Sequence, residues 1–271
     1  MEVFGMHLTP WQITAVVLGA FITGFSKTGI IGSGIILTPL IASTFPAGTA
    51  LGFVVPLSIA SDLVTMARYR HKVMVKPLMK ALPWGLLGTV GGWWIAGAIG
   101  QTYGNAADAY LRTLIGVLMG VVVALGFYVA RNPDIAMGKR RDGDDADNPE
   151  QPKVKTWYAA ALGTFAGMVS MLTNSGGPIW GVYLSSLGLE VKEIIGTVVW
   201  CYFIVALLKV PLSANLGFLD GNTLRLNAIL LPITILGVFV GGTMSGKFSK
   251  KTFGVIIRVL AALGSLYMIL F

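Results

Sequence analysis

The chain has 271 residues, 55% of them hydrophobic and only 12% charged, with a mean hydropathy of +0.75. A soluble domain carries about 25% charged residues, so a water-soluble globule is excluded and an all-α polytopic membrane protein is expected. The formal net charge of +8 would suggest nucleic acid in a soluble protein; here membrane sidedness accounts for it, and no nucleic-acid partner is expected. Cys201 is the single cysteine, and His7 and His71 stand far apart. That excludes an internal disulfide, and no metal or cofactor is expected. The N-terminal stretch "MEVFGMHLTP" has no basic region before the first apolar run, so the first helix is expected to direct insertion without a cleaved signal.

A crossing takes about 20 apolar residues. In chain order, the first apolar region, 11–45, is interrupted by "GFSKTGIIGSG" (24–34). Spans are expected at 49–68, 77–99 and 109–130, completing a first repeat over 1–130. Residues 131–155 hold half of the twelve acidic residues, six basic ones and Pro133, Pro149 and Pro152. They read as a solvated, charged linker on the cytoplasmic side. The region 156–188 is interrupted by "TNSGGP" (173–178), and spans at 194–216, 224–246 and 252–271 complete a second repeat over 156–271. Each interrupted region is too long for one crossing and short for two. Broken or re-entrant hairpins are the natural reading.

The two halves echo each other. Gly24 and Gly34 correspond to Gly167 and Gly177, Gly52 to Gly196, and Pro83, Gly88 and Gly92 to Pro232, Gly237 and Gly241, all in the same order. Lysine and arginine set the orientation: "RYRHKVMVKPLMK" (68–80), the linker and "GKFSKK" (246–251) are basic and expected inside. "GAIGQTYGNAADAY" (97–110) and "NLGFLDGNT" (215–223) lack both residues and are expected outside. One re-entrant hairpin and three transmembrane helices per half then invert the second repeat relative to the first, an arrangement used by secondary transporters.

Non-helical backbone at membrane depth survives where protein or a watery cavity satisfies it. The second break offers Thr173, Asn174, Ser175, Gly176 and Gly177; the first offers Ser26, Lys27, Thr28, Gly29, Gly32, Ser33 and Gly34. Hydroxyls, an amide and free N–H groups at a helix start suit an anion. Close helix packing is the plainer explanation of the glycines. Lys27, Asp62 and Lys209 fall inside apolar segments, where each charge costs roughly 2.5–3.5 kcal/mol. The two lysines are expected to meet a substrate anion, and Asp62 to pair with one of them or carry a coupling proton. Ser26 and Lys27 are adjacent, so they do not share a helix face, and no catalytic dyad is expected.

"GFSKTGIIGSGIILTPLIAS" followed by "ALGFVVPLSIASDLVTMARYRHKV" resembles the first half of the TauE/SafE sulfite exporter family. "TNSGGPIWGVYLSSLGL" followed by "EIIGTVVWCYFIVALLKVPL" resembles its second half, and the likeness runs over roughly 12–270. The resemblance implies a permease of the bacterial inner membrane that moves sulfite or organosulfonates. It lays the family's glycine-rich motif on Ser26 to Gly34, its Asn-x-Gly-Gly-Pro motif on Asn174 to Pro178 and its membrane lysine on Lys209. Thr28-Gly29-Ile30-Ile31 stands where many members have more consecutive glycines, implying a tighter or differently selective first site. An anion channel of the same architecture and an intramembrane enzyme are the alternatives. The expected partners are a small sulfur anion, lipid and protons as coupling ion; no GxxxxGK[ST] motif points to ATP.

Overall fold

The computed structural model describes residues 2–3, 6–7, 9–29, 33–131, 156–187, 189, 191–244 and 250–270. Gly32, the linker beyond Arg131 and most of the basic turn 246–251 lie outside the described residues. A two-residue antiparallel pair, β1 (Glu2–Val3) and β2 (Met6–His7), precedes the helices.

α1 (Pro10–Thr28) starts at a capping box: Thr9 accepts from the Gln12 backbone, the Gln12 side chain accepts from the Thr9 backbone, and Pro10 opens the first turn. Its 19 residues span about 28 Å, close to the depth of the hydrocarbon core. A 3₁₀ turn, Ser33–Ile36, leads directly into α2 (Leu37–Ala42). The chain folds back on itself here, because Gln12 Nε2 donates to the Thr44 carbonyl at 3.1 Å. The first break is therefore the tip of a hairpin. It begins at Gly29 and not at Gly24, since α1 holds its last turn through Thr28. Packing sustains that turn: Thr28 Oγ1 donates across to Val238 O at 2.6 Å.

Three longer helices follow: α3 (Ala47–Tyr69), α4 (Val75–Tyr103) and α5 (Ala107–Arg131). After the linker come α6 (Thr156–Thr173) and α7 (Gly177–Ser185), again a hairpin, with the Tyr158 and Tyr183 rings 6.2 Å apart near its open end. α8 (Val191–Asn215), α9 (Gly221–Met244) and α10 (Lys250–Leu270) complete the bundle. Four helical runs among the described residues are long and apolar enough to cross a membrane: Ala47–Lys72, Val75–Tyr128, Lys192–Asn215 and Gly221–Met244. The second is 54 residues long and contains α4 and most of α5. Leu87, Trp94, Leu236, Phe239 and Leu263 point outward and are exposed, as a lipid-facing surface requires.

Small residues decide which helices meet. A Cβ on Gly24 would overlap the Thr234 carbonyl, so α1 lies directly against α9; a Cβ on Gly167 would overlap the Gly85 carbonyl, so α6 lies directly against α4. Both pairs run parallel, Gly163 lying beside Ala81 while Gly92 lies beside Met171, and Gly24 beside Thr234 while Gly241 lies beside Thr28. By contrast α3 and α8 run antiparallel: Gly52 abuts Phe218 just past the end of α8, and Gly196 near its start abuts Lys72 just past the end of α3. α5 and α10 are antiparallel as well, Gly116 facing Ile269 and Gly120 facing Ser265. A polar staple closes the first hairpin. Arg112 donates to Ala42 O and Phe45 O, while its ion-pair partner Asp108 accepts from the Ala47 backbone at 2.6 Å.

Candidate functional site

The tips of both hairpins converge on one cavity together with the middle of α3 and α8. Its walls include Thr23, Ser26, Lys27 and Gly34 from the first hairpin and Ser170, Asn174, Ser175 and Pro178 from the second. Ser58 and Asp62 come from α3, and Tyr202 and Lys209 from α8. The cavity leaves about 50 Å³ for water centres; a single water needs about 10–15 Å³, so a small oxyanion fits. Aliphatic side chains, among them Ile35, Val54, Val55 and Val198, make up the rest of the wall.

Two charged centres face this space. Lys27 Nζ lies 2.9 Å from Asp62 Oδ1 and 4.1 Å from the centre of the Tyr202 ring. Asp62 is wholly buried, and among the described residues no hydrogen-bond donor reaches its Oδ2. A buried carboxylate in this setting depends on the one cation beside it. Lys209, 4% exposed, donates to the Ser170 carbonyl at 2.6 Å and to Asn174 Oδ1. Both acceptors are neutral. An ammonium carries three donors, so a third N–H remains beside the cavity.

Asn174 connects this centre to the opposite half. Its Nδ2 donates to Leu51 O on α3 at 3.1 Å while its Oδ1 holds Lys209. Its φ of 56° is the left-handed conformation, found at no other non-glycine among the described residues. The chain needs that turn to leave α6 and start α7 within three residues, and asparagine tolerates it better than most side chains. Thr173 O accepts from Thr38 Oγ1 at 2.6 Å and from Ser175 Oγ at 3.0 Å, so the two hairpins are also joined at their tips.

The expected site residues divide accordingly. Ser26, Lys27, Gly34, Asn174, Ser175, Lys209 and Asp62 line the cavity together. Thr28 faces α9 and Thr173 bonds back to Val169 O; neither these two nor Gly29, Ser33, Gly176 and Gly177 lie in its wall. A Cβ on Gly177 would overlap the Tyr202 hydroxyl, and one on Gly176 would lie 2.6 Å from Ala166 O. Protein already fills the space these glycines leave, so close packing suffices to explain them. Tyr202 and Ser170 belong to the site without having been expected. Nothing in "VVWCYFIVALLK" separates an aromatic facing a cavity from one facing lipid.

The family described as "Sulfite exporter TauE/SafE" matches residues 16–268, nearly the whole chain. No curated protein and no solved structure matches it. The match takes in the tips of both hairpins, all four apolar runs and every residue of the cavity wall: the chain belongs to the sulfite exporter TauE/SafE family and is a multi-pass membrane transporter.

Proposed function

We propose that the chain is a secondary transporter of a small sulfur oxyanion, sulfite or an organosulfonate, in a bacterial inner membrane. The anion sits in the cavity between two inverted repeats, 1–130 and 156–271, joined by the cytoplasmic linker 131–155. One observation carries the binding reading above the others: Lys209 is buried against neutral acceptors only, in a wall whose charged groups are two lysines and one carboxylate. A buried cation without a counter-charge is costly unless an anion visits it. Lys27 and Lys209 are the anion-attracting charges, Ser26, Ser175 and Asn174 supply polar contacts, and Asp62 is the resident partner of Lys27.

The helix pairing supports the inverted repeats. The glycines that correspond in the two halves make corresponding contacts, α1 on α9 and α6 on α4, while the counterparts α3 and α8 run in opposite directions. An internal two-fold axis in the membrane plane produces that pattern, with binding at the repeat interface.

Counterflow into proteoliposomes, with sulfite, thiosulfate, sulfate and sulfonates as competitors, tests the reading. Saturable exchange lost in Lys209→Gln is the expected result. Flux at channel rates would favour a pore, and undiminished exchange in Lys209→Gln would remove the anion site from this cavity.

A further inference from the structure

The arrangement of charges around the cavity also states how much anionic charge it accepts. With both lysines protonated and Asp62 ionised, the wall is positive by one, and a monoanion brings it to neutrality. A dianion would leave one uncompensated negative charge in a buried site, where charge imbalance is heavily penalised. Asp62 offers the remedy. It is wholly buried, its Oδ1 faces Lys27, and no described residue donates to its Oδ2. A proton placed on that carboxyl frees Lys27 for the substrate and makes the wall positive by two.

Building on the anion site proposed above, we infer that the cavity binds by charge balance: a monoanion enters as it is, and a dianion enters together with one proton held on Asp62. The balance closes in both cases. The proton comes from water, rests on Asp62 while the dianion spans Lys27 and Lys209, and leaves with it.

No other described carboxylate is placed to do this. α1 contributes Lys27, and α8 contributes Tyr202 and Lys209. α9 has Arg225, exposed near its start, and α3 itself carries Arg68 in its last turn, near Gly242. Asp108 and Arg112 of α5 pair with each other at the hairpin base, α2 has no titratable side chain, and α6 has Tyr158 in its first turn. Asp62 is the sole carboxylate of the wall.

Two probes of fixed charge separate this from simple anion binding. Methanesulfonate is a monoanion and sulfate a dianion throughout the neutral range. Calorimetric titration of the purified full chain should give methanesulfonate affinity that is flat with pH. Sulfate affinity should rise up to about tenfold per pH unit of acidification while Asp62 is ionised in the empty site. Heats measured in two buffers of different protonation enthalpy should show one proton taken up per sulfate and none per methanesulfonate, a readout that needs no variant. Asp62→Asn should flatten the sulfate dependence. Equal pH slopes for both probes, proton uptake with methanesulfonate, or sulfate that never binds where methanesulfonate does would overturn the inference. Failure of both probes to bind would overturn the anion-site reading beneath it, and the charge rule with it.

Discussion

At φ 56° Asn174 occupies a backbone region that side chains with a Cβ avoid, while its amide ties Lys209 to the Leu51 carbonyl. Substitution separates the two demands. Asn174→Gly keeps the left-handed turn and loses both side-chain bonds; Asn174→Ala loses both and adds backbone strain of about 1–2 kcal/mol. The alanine variant is therefore expected to melt below the glycine variant in detergent. If Asn174 serves the anion by holding Lys209 in place, both variants should bind it about equally weakly, by roughly 1–3 kcal/mol. Affinities that simply track the melting temperatures would reduce Asn174 to a structural turn. Lys27, Asp62, Lys209 and Asn174 were legible in the sequence because polar groups inside long apolar runs have few inexpensive explanations. Their pairing was not legible. Lys27 had two candidate anionic partners, a substrate and Asp62, and only the 2.9 Å contact shows which one is resident.

Along a single helix, neighbouring glycines have opposite consequences. A Cβ on Gly88 of α4 would overlap the Thr164 carbonyl of α6, whereas one on Gly91 meets nothing within 4 Å. Gly88→Ala should destabilise by roughly 1–3 kcal/mol as the helices are forced apart. Gly91→Ala should stabilise by about 0.5–1 kcal/mol through helix propensity alone. Thermal unfolding of the two variants in one detergent checks the pair, and the same sign for both would contradict the close α4–α6 contact. At the start of α9, Asp220 Oδ1 accepts from the Thr223 backbone at 2.7 Å. Hydrogen bonds from Thr223 hold the Asp220 carboxyl below its usual value. That cap contributes fully above the ordinary aspartate range and fades as the pH falls through the lowered value. Asp220→Ala should cost about 1 kcal/mol near neutrality and progressively less in acid. A stability deficit that does not shrink in acid would show that something other than the ionised cap is lost. The spans were legible to within a few residues because apolar length is a strong signal; the expected 77–99 became Val75–Tyr103. The end of α1 was misjudged by five residues because Thr28, a poor helix former in isolation, is held helical by α9.

For the whole molecule, the decisive quantity is the direction of each helix. If the inverted-repeat reading is correct, α3 and α9 start outside, α4 and α8 start inside, and the loops at Thr102 and Asn222 lie on the same outer face. Their basic counterpart around His71 lies within. The contacts already constrain this: α8 runs against α3, so the loop after α8 must emerge beside the start of α3, where Phe218 packs on Gly48 and Gly52. Glycine spacing suggested a repeat, but it did not suggest which helices of the two halves of the chain would pack together. Each hairpin packs on a helix from the other half because glycines there let a neighbouring backbone carbonyl approach closely, and sequence order says nothing about which stripe meets which. The test starts from Cys201→Ala, which removes the single, buried cysteine, followed by one new cysteine at a time at Thr102, Asn222 and His71. A membrane-impermeant maleimide applied to sealed right-side-out vesicles should label the first two and spare the third, and inverted vesicles should reverse the pattern. Labelling of Thr102→Cys and Asn222→Cys from opposite faces would mean that the halves are not inverted. The two hairpin tips would then enter from the same side, and a cavity shared between them could not open alternately to the two faces of the membrane.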